Sequence, residues 1–455
     1  MAFLEQLNSR SIAVVGAGVT GAAIIRFLKN RGINPSVWDE KVVTTEEITT
    51  STTPTPGIDL AIISPGWKAS HPFIENLRKQ GAEIISEVDF AWRVKTEVAP
   101  NQKWISLTGT NGKTTTVQMV NSIFESAGIS GVACGNVGDT VIDALSAINP
   151  YDYLALELSS FQIEWSKEAR FEAAAILNIA EDHIDWHGSF DNYANAKMHL
   201  LEYSSVGILN AEDPEIVARS SSWNGKKVFY SLETPLAGEL GLVENILVDR
   251  AFIADATKAE ALAELVDIKP TVPHNVSNAL AAAGLARAIG IPHADIKSGL
   301  AKFKVDHHRI ETVLVKDGIT WVNDSKATNP HSAIASILSH ERVVWIAGGL
   351  AKGASMDLLI RRAKPRLAAV ILIGADAPVI EAALIEHAPE IPRYRVANAG
   401  SSEELMKEIV IQALAIAQPG ENVLLAPACA SMDQFVSYAH RGNLFADTVR
   451  SIVGA

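Results

Sequence analysis

Cysteine is almost absent from this chain: its 455 residues include two, Cys134 and Cys429. They lie far apart and form no C-x-x-C pair, so neither a disulfide framework nor a cysteine zinc site is implied. A reducing compartment, the cytoplasm, is expected. Positive charge is also short. Lys and Arg number 39 against 52 Asp and Glu, a formal charge of −13, which argues against a protein that grips nucleic acid through a basic face. No window holds a full membrane-length run of apolar residues without charges or glycines, so no membrane span is expected. The uncharged stretch Ile12–Ile25 faintly resembles the apolar part of a secretion signal, but Gly16, Gly18 and Gly21 break it and suit a strand–turn–helix better. Internal repeats and low-complexity tracts are missing too. What remains is a long chain, 48% hydrophobic and 20% charged, able to bury several cores and to form about three domains.

The most telling stretch runs from Leu107 to Thr116, LTGTNGKTTT. An apolar run, Trp104–Leu107, enters as a strand, and a helical pattern, Thr114–Ser126, leaves. A glycine turn at this junction lets backbone N–H groups approach phosphates, and the helix N-terminus adds partial positive charge. Lys113 would reach the β/γ-phosphates and the Thr114 hydroxyl would hold Mg²⁺. The usual pattern opens with a glycine where this chain has Leu107; here the glycine stands at Gly109. The chain is thus expected to consume a nucleoside triphosphate.

A second glycine array, Gly16 to Gly21, follows a strand and is followed in turn by Asp39 at the end of the next strand. Read alone, it points to a nicotinamide-dependent dehydrogenase. Beside another phosphate loop, it suits the diphosphate of a nucleotide-sugar equally well. Glu157 ends the apolar strand Tyr153–Leu158, where a metal-bridging carboxylate sits in a P-loop fold. The run NIAEDHIDWHG, residues 178–188, is either a metal site or a solvated loop, and Lys197 beyond it reads locally as a surface charge on a helix.

The strand and helix signals divide the chain into three α/β segments, 1–97, 98–305 and 306–455. The first has strands at Ser11–Val15, Asn34–Trp38 and Leu60–Ser64, alternating with helices in the manner of a parallel sheet. The second adds strands at Ala173–Asn178 and Val206–Asn210, a helix at Ser277–Ile289, and a short β excursion within Ser220–Ala256. The third has strands at Thr320–Asn323, Val343–Ala347, Ala369–Ile373 and Asn422–Ala426 and a helix at Ser402–Ala417. Three of its strands run into polar loops, around Asp324–Thr328, Gly348–Gly353 and Pro427–Gln434. Such loops converge at the carboxyl edge of an α/β sheet and suit a small anionic ligand.

The ordered set TGTNGKTT, ELSSFQIE, NIAEDHIDWH, YANAKMHL, VPHNVSNALAA, HHRIE, NDSKATN, GGLAKG and PACASMDQF, with Arg441-Gly442 beyond, resembles the Mur ligases of peptidoglycan synthesis over nearly the whole chain. NDSKATN and PACASMDQF favour the branch that adds D-glutamate. The resemblance implies a Rossmann-like UDP-binding domain, a central P-loop ATPase domain and a doubly wound α/β amino-acid-binding domain. It implies a cytoplasmic, monomeric ligase acting on ATP, UDP-N-acetylmuramoyl-L-alanine and D-glutamate through an acyl phosphate. A sibling reaction with another amino acid, such as L-glutamate, is the alternative. By the same resemblance, Gly109, Thr110, Asn111, Gly112, Lys113, Thr114, Thr115, Asn275, Arg309, Asp324 and Lys326 serve ATP. Gly18, Val19, Thr20, Asp39, Gly66, Asn136, Ser159 and His183 serve the UDP-sugar. Thr328, Lys352, Ser431, Met432 and Tyr438 serve D-glutamate, with Tyr438 standing where some relatives have Phe. Lys113, Glu157, His183 and Lys197 are the implied catalytic set. Two Mg²⁺ ions are implied on Thr114, Glu157, His183 and a Lys197 carbamate formed from CO₂. Ala354-Ser355-Met356 departs from the acidic residue and Phe of many relatives.

Overall fold

The computed structural model describes residues 2–454 except 43, 46, 47, 54, 398 and 399. Continuous apolar runs such as Ile12–Val15 and Leu60–Ile63 are buried along their whole length, the pattern of strands covered on both faces by helices. They belong to a four-stranded parallel sheet in the spatial order Ser36–Trp38, Ile12–Val15, Leu60–Ile63, Glu83–Ser86. The last of these, four residues long and running directly into a helix, escaped the sequence pattern.

Among the described residues the second sheet has nine strands. Its parallel core places Lys103–Thr108 between Tyr153–Glu157 and Ala173–Ile176, with Gly131–Gly135 at one edge. Beyond Val206–Asn210 and Lys226–Tyr230, the poorly legible segment forms an antiparallel extension, Leu240–Val243, Ile246–Asp249 and Glu260–Glu264. The Ala-rich helix Pro273–Ala288 packs into this domain's core, and Gly290 with its left-handed φ stops it.

The third sheet runs Glu311–Lys316, Ile319–Asn323, Asn422–Leu425, Val343–Gly348, Leu367–Ile373, Arg393–Arg395. Among the described residues of this sheet, only the hairpin strand Glu311–Lys316 pairs antiparallel. One core on this sheet takes residues of helices Pro330–Leu338, Asp357–Ala363 and Ala377–His387, and another takes those of Ser402–Ile416 and Tyr438–Ile452. Helices on both faces make it doubly wound, and the parallel neighbours Val343–Gly348 and Asn422–Leu425 lead to helices on opposite faces.

The chain forms two compact units. The first and second sheets share one, with residues up to Ile179, Trp186–Thr271 and Asn275–Phe303. The third sheet forms the other, with Ala180–Asp185 and Val272–His274. Within the first unit one apolar cluster runs from Ile12 and Phe90 to Leu154 and Phe171. Polar ties reinforce it. The Asp89 carboxylate accepts the backbone N–H groups of Lys167, Glu168 and Ala169 at 2.8–3.2 Å. Arg93 pairs with Glu83 and Glu168. Burial pushes the neighbouring Glu87 carboxyl up to about 7, against the pull of the Gln162 amide.

Candidate active site

The phosphate loop is held on three sides. Gly112 caps helix Lys113–Ser126 at φ 83°, and a Cβ there would sit 2.4 Å from Asn278 Oδ1, so only glycine fits. The Asn178 carbonyl accepts the N–H of Thr110, while its side chain accepts from the N–H of Asn111 and donates to the Asn111 carbonyl. The Thr110 hydroxyl meets Tyr193 Oη at 2.9 Å. Lys113 Nζ donates to the carbonyls of Gly109 and Thr110, at 2.8 and 3.0 Å. Gly109, Thr114 and Thr115 complete the turn into the helix, whose N-terminus favours negative charge.

Glu157 pairs in register with Leu107, two residues before Gly109. It is 1% exposed. Asn136 Nδ2 donates to Oε1 at 2.9 Å, and the Asn136 N–H to the Glu157 carbonyl. Oε2 is buried with no hydrogen-bond partner. A buried carboxylate oxygen left over beside a phosphate loop is a fitting ligand for a hard divalent cation.

Lys197 overturns its local reading as a surface lysine. It is 2% exposed on helix Phe190–Met198. Its Nζ donates to the Gly109 carbonyl at 3.0 Å and reaches Thr108 Oγ1 at 3.5 Å. Asn275 is buried, with Nδ2 on the Pro270 carbonyl. His183 belongs with the second unit; it holds φ 53° and lies 3.6 Å from Asp182.

In the first loop, the Asp39 carboxylate accepts the Ala17 N–H at 2.7 Å, bracing the turn. A Cβ at Gly21 would fall 1.8 Å from the Gly16 carbonyl oxygen. Gly18 differs: it is exposed at the N-terminus of helix Val19–Lys29, and a Cβ there meets nothing within 4 Å. Val19 is 78% exposed and Thr20 half-buried beside it. The loop carrying Gly66 is clamped by two indoles, Trp186 on the Gly66 carbonyl and Trp165 on that of Trp67. Ser159 caps helix Ser160–Trp165.

In the second unit the three expected loops do converge. Leu350 and Ala430 exchange two backbone hydrogen bonds, and the Ala428 N–H donates to the Ala327 carbonyl. Burial pushes the Asp324 carboxyl up to about 6, against the nearby charge of Arg309. Arg309 is flanked by His308 and Ile310, both with left-handed φ. Lys326 Nζ stands 3.9 Å from the centroid of the Tyr438 ring. Ser431 is buried, Thr328 half-buried, and Lys352 and Met432 are exposed. At the unusual Ala354-Ser355-Met356 stretch, Met356 turns into the core.

Arg441 is what local sequence reading missed. It is fully buried in the last helix. Its guanidinium donates to the hydroxyl and carbonyl of Ser325 and to the carbonyl of Cys429. It thereby ties the loop after Ile319–Asn323 to the loop after Asn422–Leu425.

Residues 10–86 match the Mur ligase MurD-like N-terminal domain, 107–286 the Mur ligase middle domain, and 308–429 the Mur ligase glutamate ligase domain. The chain belongs to the Mur ligase family. It is 44% identical over 469 residues to the UDP-N-acetylmuramoylalanine–D-glutamate ligase of Thermobifida fusca, covering 99% of this chain and 100% of that protein. It is 41% identical to the protein of the same name from Streptomyces coelicolor, covering 98% and 99%. Among solved structures, a pseudomurein peptide ligase type C from Methanothermus fervidus shares the fold with a TM-score of 0.62 at 19% identity, covering 97% of this chain and 100% of that one. UDP-N-acetylmuramate-alanine ligase MurC from Thermotoga maritima aligns at a TM-score of 0.58 and 19% identity, over 97% and 99%.

Arg441→Leu should strand buried acceptors on Ser325 and Cys429, each lost partner costing about 1–3 kcal/mol. The variant should therefore unfold its C-terminal unit at lower denaturant, read by fluorescence of the buried Trp321 and Trp345. An unchanged midpoint would mean that the two loops do not depend on this guanidinium.

Proposed function

We propose that the chain is an ATP-dependent amide ligase that joins D-glutamate to the alanine carboxylate of UDP-N-acetylmuramoyl-L-alanine, releasing ADP and phosphate. The observation that carries the reading is the buried, half-satisfied Glu157 beside a phosphate loop served by two lysines, in a chain matched end to end by ligases of that name. Residues 1–97 are assigned to the UDP-sugar, 98–305 to ATP and 306–455 to the amino acid. Among the described residues no helix is long and apolar enough to cross a membrane. The reaction is placed in the cytoplasm, and the monomer is taken as the working unit because one chain supplies every residue set.

The alanine carboxylate attacks the γ-phosphorus and ADP leaves. The D-glutamate amine, as the neutral NH₂ group, then attacks the acyl carbon, the C–N bond forms, the C–O bond to phosphate breaks, and the nitrogen gives one proton to solvent and keeps the other as the amide N–H. Phosphoryl transfer of this kind depends on positioning and charge neutralisation. Lys113 is assigned to the β/γ-phosphates, which can replace the loop carbonyls as its partners. Thr114, Glu157, His183 and Lys197 as a carbamate are assigned to two Mg²⁺ ions, which when bound supply screening between the carboxylate and the triphosphate. The carbamate has support in the burial of Lys197: its ammonium loses one proton to become the attacking amine and a second as the nitrogen adds CO₂, so a group sequestered from water gains an anionic oxygen donor. Asn275, Arg309, Asp324 and Lys326 are assigned to the nucleotide. Gly18, Val19, Thr20, Asp39, Gly66, Asn136, Ser159 and His183 are assigned to the UDP-sugar. Thr328, Lys352, Ser431, Met432 and Tyr438 are assigned to D-glutamate.

Phosphate release should require the UDP-sugar, ATP and D-glutamate together, with L-glutamate unable to replace the D-isomer. Turnover with L-glutamate at an equal rate would redirect the reading to a sibling ligase.

Because a side chain at Gly18 meets open space, Gly18→Val should fold normally yet block backbone approach to a diphosphate. Its KM for the UDP-sugar should rise at least tenfold while that for ATP stays within twofold. Equal losses for both nucleotides would mean the two loops are assigned wrongly.

Lys197→Ala should lose nearly all turnover and recover part of it with millimolar short carboxylic acids acting as surrogate anions. Lys113→Ala, which lacks a cation, should show no such rescue. Full activity of Lys197→Ala without additive would remove the carbamate role.

A further inference from the structure

Glu87 opens helix Glu87–Val98 of the first sheet's domain and is buried, with no part in the assignments above. Its Oε1 accepts from Gln162 Nε2 at 2.8 Å. Gln162, also buried, turns the other end of its amide to Ser159: Oε1 accepts the Ser159 N–H at 2.9 Å and the Ser159 hydroxyl at 3.0 Å. The Ser159 oxygen in turn accepts the Gln162 N–H at 3.2 Å. Of the three residues, only Ser159 is accessible to a ligand.

A primary amide has one donating end and one accepting end. Gln162 can accept twice from Ser159 only while its NH₂ group faces an acceptor, and Glu87 supplies that acceptor. Were the amide reversed, its NH₂ would oppose the Ser159 N–H. With its proton committed to Gln162, the Ser159 hydroxyl has a lone pair to offer and no hydrogen.

We propose that Glu87 is a positioning residue of the first domain that fixes the Gln162 amide and so presents Ser159 as a hydrogen-bond acceptor to an N–H or O–H of the UDP-sugar. The inference rests on the assignment of Ser159 to that substrate. It gives the first domain a second task beyond its own glycine loop: it sets the polarity of a group on the ATPase domain.

The test is steady-state kinetics of Glu87→Leu, Glu87→Gln, Gln162→Met and Ser159→Ala, with KM measured separately for the three substrates. Glu87→Leu should raise KM for the UDP-sugar about tenfold, the loss of one hydrogen bond's 1.4 kcal/mol, and leave those for ATP and D-glutamate within twofold. Glu87→Gln keeps an acceptor oxygen and should return the UDP-sugar KM to within threefold of the parent. Ser159→Ala should match Glu87→Leu. A raised KM in Ser159→Ala beside an unchanged one in Glu87→Leu would overturn the role of Glu87 alone. An unchanged KM in Ser159→Ala would remove the substrate assignment and the inference with it. Equal loss toward all three substrates in Glu87→Leu, without recovery in Glu87→Gln, would mean a purely structural role. Should Glu87→Leu fail to fold, Gln162→Met decides: a selective rise for the UDP-sugar supports the relay, and a normal KM refutes it.

Discussion

Two lysine side chains share the carbonyl oxygen of Gly109. Lys113 reaches it from the helix that follows the loop, and Lys197 from a helix 88 residues further along the chain. Both nitrogens lie about 3 Å from one atom, so they stand within about 6 Å of each other. Two unit charges at that distance repel by about 3 kcal/mol at an effective dielectric constant near 20. A triphosphate would relieve that repulsion directly, and a carbamate would reverse its sign. Much of the surrounding structure serves to hold this arrangement: Asn178 staples the loop, Tyr193 anchors Thr110, and Asn278 leaves room at position 112 for nothing larger than glycine.

The elements of the fold were legible where the signal is local. Parallel strands buried on both faces read as short apolar runs, and the glycine loops mark their exits. The carboxyl-edge position of Asp324, Gly348 and Pro427 followed from that alone. Glu83–Ser86 did not declare itself, because two isoleucines between a glutamate and a serine make too short a pattern. The larger gaps concern burial of charge. The sequence around Lys197 offers the Tyr193 ring four residues earlier, 4.7 Å from its Nζ, but the oxygens it meets come from Thr108 and Gly109, far away in the chain. Glu87, Asp89 and Arg441 are of the same kind. Each stands in an ordinary amphipathic helix, and each has a partner between 75 and 116 residues away.

Buried charge is used differently in the two units. In the second, Arg441 is a permanent strut: burial lowers its affinity for a proton only to about 10, so it stays charged and keeps two loops in register. In the first, the buried carboxylates divide their labour. Asp89 accepts from three backbone N–H groups through both oxygens and acts as a rivet. Glu157 is satisfied on one oxygen only, and its other oxygen is buried with its hydrogen-bonding capacity unspent.

The docking of the first sheet against the second has a kinetic meaning. The glycine loop at Gly16–Gly21 and the phosphate loop at Gly109–Thr114 belong to one compact body, joined by a continuous apolar cluster and by Asp89, Arg93 and the paired indoles. If a nucleotide-sugar is held by the first loop and a triphosphate by the second, their encounter is no longer bimolecular. On that premise the spacing of the two loops, fixed when the chain folds, sets the effective molarity, and the ligands lose their rotational and translational entropy on binding, before the chemical step. On the same premise the acyl phosphate forms before the amino acid arrives, and it is the amine that turns it over to free phosphate.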